Sequence, residues 1–147
     1  MKKVIYLLLF MPFIFSSCST VEVDLRDDYV GIWSSNATGS MSILYNGGVM
    51  FTIPTEDSGN IHVSKSGTDE LSIGSVYAAL SGTKLLIDTE TETQTNEGVT
   101  MQLTTTYKGT AAKGLMTITG TYSGNWSNSN GATGLISGST TYTYTKK

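Results

Sequence analysis

The chain has 147 residues, room for one domain, and its 39% hydrophobic and 14% charged content argues against disorder. Nine basic against 12 acidic residues give a formal charge of −3, with no basic patch in the body of the chain, which disfavours nucleic acid as a partner. The single cysteine, Cys18, excludes an intrachain disulfide.

Met1-Lys2-Lys3 is a positive start, Val4 to Phe15 is an apolar run broken only by Tyr6 and Pro12, and Ser16-Ser17 puts small residues just before Cys18. This is the pattern of a signal peptide, too short and wrongly flanked for a stable transmembrane helix. Phe15-Ser16-Ser17-Cys18 resembles a bacterial lipobox, with Phe where Leu is usual. The resemblance implies a lipoprotein signal peptide over residues 1–17 and a Cys18 carrying diacylglycerol and an N-acyl chain such as palmitate. Several such chains, at roughly 0.8 kcal/mol per buried CH₂, anchor a protein stably in a membrane. Cleavage removes Lys2 and Lys3 and leaves a mature net charge near −5. Ser19 follows Cys18, where an Asp would resemble an inner-membrane retention signal, so the expected address is the outer membrane. Residues 18–28 are then the lipidated cysteine and a flexible spacer. Its Glu22, Asp24, Asp27 and Asp28 resemble the acidic surface-export signal of Bacteroidota lipoproteins, so periplasmic face and cell surface both stay open.

From Tyr29 onward the chain reads as short alternating runs separated by turn residues. Tyr29-Val30-Gly31-Ile32-Trp33 opens a first strand, and Asn36 to Ser40 reads as a loop. Met41, Ile43 and Tyr45 lead into Asn46-Gly47-Gly48, residues that accept positive φ at low cost. Val49, Phe51 and Ile53 return, Pro54 ends the strand, and Thr55 to Gly59 turns. Ile61 to Lys65, Leu71 to Ile73 and Val76 to Leu80 follow, divided by Ser66-Gly67-Thr68-Asp69 and Gly74-Ser75. After Ser81-Gly82-Thr83, Leu85 and Ile87 begin a strand that extends toward Thr91. Asn96-Glu97-Gly98 turns into Val99 to Tyr107, and Lys108 to Gly114 connects onward. Leu115 to Trp126 is the clearest strand: Met116, Ile118, Gly120, Tyr122, Gly124 and Trp126 alternate with Thr117, Thr119, Thr121, Ser123 and Asn125. Ser127 to Gly131 is a loop, and Ile136 to Tyr144 closes the set. About nine strands with no amphipathic helix predict an all-β, antiparallel, up-and-down barrel, since closure removes sheet edges. Gly120, Gly124 and Gly138 inside strands predict sharp bends or close backbone approach.

The polar chemistry is sparse. His62, the only histidine, falls opposite Ile61 and Val63 and so faces outward; alone it makes neither a zinc site nor a Ser-His-Asp triad. Asp88, Glu90 and Glu92 share one strand face. Paired carboxylates can serve glycoside hydrolysis or calcium, but with no basic group nearby these read as a solvated ladder guarding an edge. No catalytic residue, metal site or cofactor is expected, and the chain does not read as an enzyme. Inward aromatics can either fill a barrel of about eight strands or line a ligand cavity. Trp33 is expected to plug the barrel, and Trp126, Tyr107, Tyr122 and Tyr142 are the candidate ligand contacts.

Gly31-Ile32-Trp33 resembles the Gly-x-Trp start of lipocalin-like barrels, where the Trp plugs the base. Ile61 to Thr68, Leu85-Leu86-Ile87 and Ser137 to Tyr144 are similar to small calycin-like lipoproteins of Bacteroidota. The resemblance implies a lipocalin-like barrel domain of eight to nine strands over residues 29–147. The expected function is an outer-membrane-anchored lipoprotein whose barrel binds a small apolar ligand or a glycan. The alternative is a structural or protein-interaction surface lipoprotein, adhesin-like or an inhibitor, with a filled barrel. Expected partners are the membrane through Cys18 and such a ligand, and no nucleic acid.

Overall fold

Thr and Ser alternate with apolar residues along most of the chain, and that period sends alternate side chains to opposite faces of a sheet. The computed structural model describes residues 23–147, so the signal peptide and Cys18 lie outside the described residues. Nine antiparallel strands follow in order: β1 (Gly31–Tyr45), β2 (Gly48–Ser66), β3 (Glu70–Ile73), β4 (Val76–Ser81), β5 (Lys84–Leu86), β6 (Glu90–Asn96), β7 (Val99–Ala112), β8 (Leu115–Asn128) and β9 (Thr133–Lys146). The sheet runs β5-β4-β3-β2-β1-β9-β8-β7-β6, and β5 also pairs with β7. The rungs Lys84↔Thr110 and Leu85↔Gly109 close a ring of eight strands and leave β6 as an extra one. The all-β class and the closed antiparallel barrel are those the alternation predicts.

Ring closure divides the molecule into two halves with separate cores. At the base, Trp33 is fully buried among Val63, Leu71, Ile73, Met116 and Ile118. Its Nε1 donates to the Tyr29 carbonyl at 2.7 Å, its ring stacks on Tyr29, and the Lys146 ammonium sits 5.9 Å from the ring centre. Trp33 is thus the base plug its position predicts. Beyond the closing rungs, β2, β1, β9, β8, β7 and β6 run on as an open, six-stranded trough. Its floor is a second cluster of Ile43, Trp126 and Ile136, flanked by Met41, Met101 and Leu103.

The chain segment before the barrel differs from a free spacer. Leu25–Asp28 is a 3-10 turn capped by Asp24. Arg26 donates to the carbonyls of Ser66, Gly67 and Glu70, and Lys65 pairs with Asp24 at 2.8 Å and Asp27 at 2.6 Å. Arg26, then Lys65, holds the Asp24 carboxyl well below the usual carboxylate range. Two of the acidic residues expected in a flexible tether therefore fasten it to the barrel. This docking weakens as pH falls and Asp24 takes up a proton.

Four strand boundaries depart from the sequence expectation. Asn36 to Ser40 is strand, not loop: Ala37 and Gly39 face inward opposite Tyr142 and Thr140, and small residues there make room for larger neighbours. Pro54 does not end its strand, and Thr55 to Gly59 is not a turn. From Gly48 to Asn60 β2 has only β1 beside it, so Pro54 lies on a sheet edge, where a missing N–H breaks no ladder. Lys108 to Ala112 belongs to β7, and only Lys113-Gly114 turns. The expected run from Leu85 to Thr91 is interrupted at 87–89, yet β6 continues along the same edge of β7, one residue out of step with β5.

Thr140 is fully buried and its hydroxyl has no hydrogen-bond partner among the described residues. Thr140→Val is therefore expected to stabilise the fold by about 1 kcal/mol, because it removes an unsatisfied buried group at nearly constant shape. Urea denaturation is the check, and a destabilisation of similar size means the hydroxyl has a partner in solution.

Candidate functional site

Where the ring opens into the trough, the inner face carries tyrosines from three adjacent strands. Tyr107 on β7, Tyr122 on β8, and Tyr142 and Tyr144 on β9 all line one cavity of 320 Å³. Ile61, Ile73, Val76 and Ile118 supply its apolar wall, and Ser35, Asp57 and the β3–β4 turn at Gly74-Ser75 its polar lip. The rings are set by the strands: Tyr142 and Tyr144 stack nearly parallel, 6° apart with centroids 6.4 Å away. Tyr107 lies against Gly120, whose missing Cβ would sit 3.3 Å from its Cε1. The Tyr107 hydroxyl donates to Glu90 Oε2 at 2.8 Å. A hollow of 420 Å³ at the base, between Asp24–Arg26 and Thr68–Asp69, has no aromatic lining.

Burial governs the phenols. It pushes Tyr144 up to about 12, helped by Tyr142 alongside. Tyr107 is raised further by burial and then by its bond to the Glu90 carboxylate, and Tyr142 is raised by burial, the neighbouring Tyr122 phenol and Asp57. All three stay protonated at neutral pH: Tyr107 donates to Glu90, and Tyr142 and Tyr144 line the cavity together with one carboxylate acceptor, Asp57. Because the native state keeps protons that the unfolded chain releases above pH 10, stability is full below pH 10 and declines as pH approaches 12. Tyr144 alone carries on the order of 2 kcal/mol of this loss, at about 1.4 kcal/mol per pKa unit. Denaturation curves at pH 9.5 and 11.5 test it: Tyr144→Phe is expected to flatten the decline, and an unchanged pH slope overturns the assignment.

The structure brings together Tyr107, Tyr122 and Tyr142 of the expected contact set and separates Trp126 from them. Trp126 is 9% exposed, in the trough floor, where its Nε1 donates to the Leu44 carbonyl at 3.1 Å and its ring packs on Tyr45. Its place at a strand end beside a polar loop is as read, but the strand turns it into the sheet's concave face rather than toward the cavity. Asp57 was missed, because its signal depends on β2 running unbroken through Pro54. Once it does, Ile53, Thr55 and Asp57 alternate onto the inner face opposite Met41, Gly39 and Ala37.

His62 is exposed on the outer face of β2. Glu90 and Glu92 lie on β6, which is a sheet edge, while Asp88 falls in the preceding interruption. Among the described residues no cluster of His, Cys, Asp or Glu is arranged to hold a metal ion. Compared with protein-family models, curated proteins and solved structures, the chain matches none.

Proposed function

We propose that the protein is a lipid-anchored binding module of the outer membrane, acylated at Cys18 and taking a small ligand at the barrel mouth. The convergence of Tyr107, Tyr122 and Tyr142 on one cavity beside Asp57 carries this reading. A cavity of 320 Å³ stands at the small end of ligand sites, which start at about 300 Å³. Aromatic faces interleaved with phenol donors and a carboxylate acceptor match a glycan better than a purely apolar ligand, since each ring can stack on a sugar's C–H face while polar groups take its hydroxyls. Val23, the first described residue, sits by the plugged base, five residues after Cys18, so an anchor at Cys18 fits a mouth that points away from the membrane. The lipoprotein resemblance at Phe15 to Cys18 and the resemblance to calycin-like lipoproteins support the same reading.

The test is titration of the full protein in non-ionic detergent with mono- and oligosaccharides and with fatty acids, followed by calorimetry. A saccharide is expected to bind, and replacing Tyr122 or Tyr142 by Ala is expected to weaken it at least tenfold, about 1.4 kcal/mol. No heat with any saccharide removes the glycan reading, and heat with fatty acids alone transfers the site to apolar ligands. Cys18→Ser is expected to release the protein from membranes, and continued membrane retention removes the anchor.

The alternative, an interaction protein with a filled barrel, gains from the packed base around Trp33 and loses by the open mouth above it.

A further inference from the structure

The trough beyond the mouth has properties that ligand binding in the tyrosine cavity does not use. The closed ring has eight strands, and above β3 and β4 the wall falls to six, because β5 and β6 occupy the same edge of β7. Two sheet edges face this gap, β2 from Gly48 to Asn60 and β6 from Glu90 to Asn96. The trough keeps apolar side chains in contact with solvent: Tyr45 is 40%, Phe51 49% and Ile53 43% exposed, above the half-buried Met41, Met101 and Leu103. Apolar surface kept exposed in one concave patch marks a contact surface.

The two edges are not equivalent. β2 carries a register break beside Leu44 and Pro54, features that block a further strand. β6 has seven residues with no Pro, Gly or Lys. Its turn, Glu97-Gly98, has φ of 48° and 77°, a two-residue hairpin in which the flanking pair Asn96↔Val99 is hydrogen-bonded. Counting back from that pair, the backbone groups of Thr91, Thr93 and Thr95 point to the open edge. Charge then selects the guest. Beyond the rung that joins Glu56, Thr38, Thr141, Thr119 and Lys108, residues 39–55, 90–107 and 120–140 build the open half and hold Glu90, Glu92 and Glu97 but no Lys or Arg. The seven basic residues of the described chain all lie outside these stretches. A second copy paired along this edge would gather Glu90 and Glu92 of both chains on one face with no cation between them, and anionic lipid headgroups meet the same repulsion.

We propose that an extended segment of a partner protein, with basic side chains at alternate positions, adds as a strand to the open edge of β6. Its backbone pairs with Thr91, Thr93 and Thr95, and its basic side chains enter the trough on the face that Glu90 and Glu92 share with Leu103, with their aliphatic stems over Leu103 and Phe51 and their ammonium groups on the carboxylates. Main-chain bonds to an edge supply affinity in this mode, and side-chain pockets supply selection.

Calorimetric titration of the full protein in non-ionic detergent with a synthetic peptide of five Lys-Val repeats tests this. Binding is expected in the micromolar range, weakened by added salt. A Glu-Val peptide of equal length is expected to bind at least roughly tenfold more weakly. Thr93→Pro removes an outward N–H without touching a β6–β7 bond, and is expected to weaken the Lys-Val peptide by a similar factor. Glu92→Gln is expected to reduce the salt dependence. A Lys-Val peptide N-methylated at alternate amides probes the same backbone bonds from the guest side, so the test holds even if Thr93→Pro disturbs folding. Equal binding of the Lys-Val and Glu-Val peptides overturns the proposal, as does full affinity of the methylated peptide. Self-association of the protein that Thr93→Pro abolishes also overturns it, in favour of a second copy as the occupant. Saccharide binding at the tyrosine cavity is read separately, so loss of either site leaves the other standing.

Discussion

Replacing Trp33 by Ala is expected to remove about 3 to 5 kcal/mol of folding stability, the range for deleting a large buried aromatic. Trp33 has no exposed surface, so the whole indole is lost from a packed site with no water to replace it. Three further contacts go with it. The Tyr29 carbonyl loses the Nε1 donor at 2.7 Å, and an orphaned buried acceptor adds about 1 to 3 kcal/mol if the segment stays in place. Tyr29 loses its stacking partner, and Lys146 loses the ring beneath its ammonium. The cheaper response is for residues 24–29 to lift off, since Arg26 and the Asp24–Lys65 pair are exposed interactions of small net worth. Two measurements separate these responses. Urea unfolding gives the total, and trypsin cleavage after Arg26 reports undocking. Trp33→Phe keeps most of the packing but not the donor, so it is expected to fall between wild type and Trp33→Ala. A loss below about 1 kcal/mol for Trp33→Ala means the base is not held by this plug.

Much of the barrel is legible in the residues themselves, and the departures share a cause. Leu115 to Trp126 reads correctly because apolar and polar positions differ strongly in type. Asn36 to Ser40 reads wrongly because its inward residues are Ala37 and Gly39, small enough to look like a turn. Their size is dictated by Thr140 and Tyr142 across the strand pair, a fact held by residues about a hundred positions away. Pro54 misleads for a similar reason: whether a proline breaks a strand depends on whether that strand is an edge, and edges exist only once the sheet order is known. The tyrosine set shows the same limit. Alternation alone places Tyr107, Tyr122 and Tyr142 on inner faces, but not at one height. The register pairs Tyr107 with Gly120 and Tyr142 with Ile118, and so gathers the rings at the mouth while carrying Trp126 off to the trough. Strand register, which no local pattern encodes, sorts inward residues into cavity and floor.

The trough depends on glycines set against neighbouring backbone, and filling two of them, Gly124 and Gly138, is expected to cost about 3 kcal/mol or more, since inserting bulk at one tight site typically costs about 1 to 3 kcal/mol. A Cβ at Gly124 would collide with the Gln102 carbonyl of β7, and one at Gly138 with the Ser40 carbonyl of β1. Backbone, unlike a side chain, cannot turn aside. Both positions lie on the inner face, where Gly124 pairs with Ile136 and Gly138 with Tyr122. The sheet bends there so sharply that its concave side has no room for a methyl group. Gly124→Val with Gly138→Val must therefore flatten β8 and β9 or part them from their neighbours, and either change lifts Trp126 from Ile43 and Ile136. The base cluster around Trp33 shares no buried residue with the floor cluster, so the damage is expected to stay above the closing rungs. The chain's two tryptophans then report one half each. With 5-fluorotryptophan, the Trp126 signal of the double variant is expected to melt at a lower urea concentration than the Trp33 signal, as an open half that unfolds on its own. The Lys-Val peptide is expected to lose its site in the same variant. Coincident melting of both signals at nearly wild-type stability means the curvature does not need these glycines, and the trough is not the rigid surface that strand addition at β6 requires.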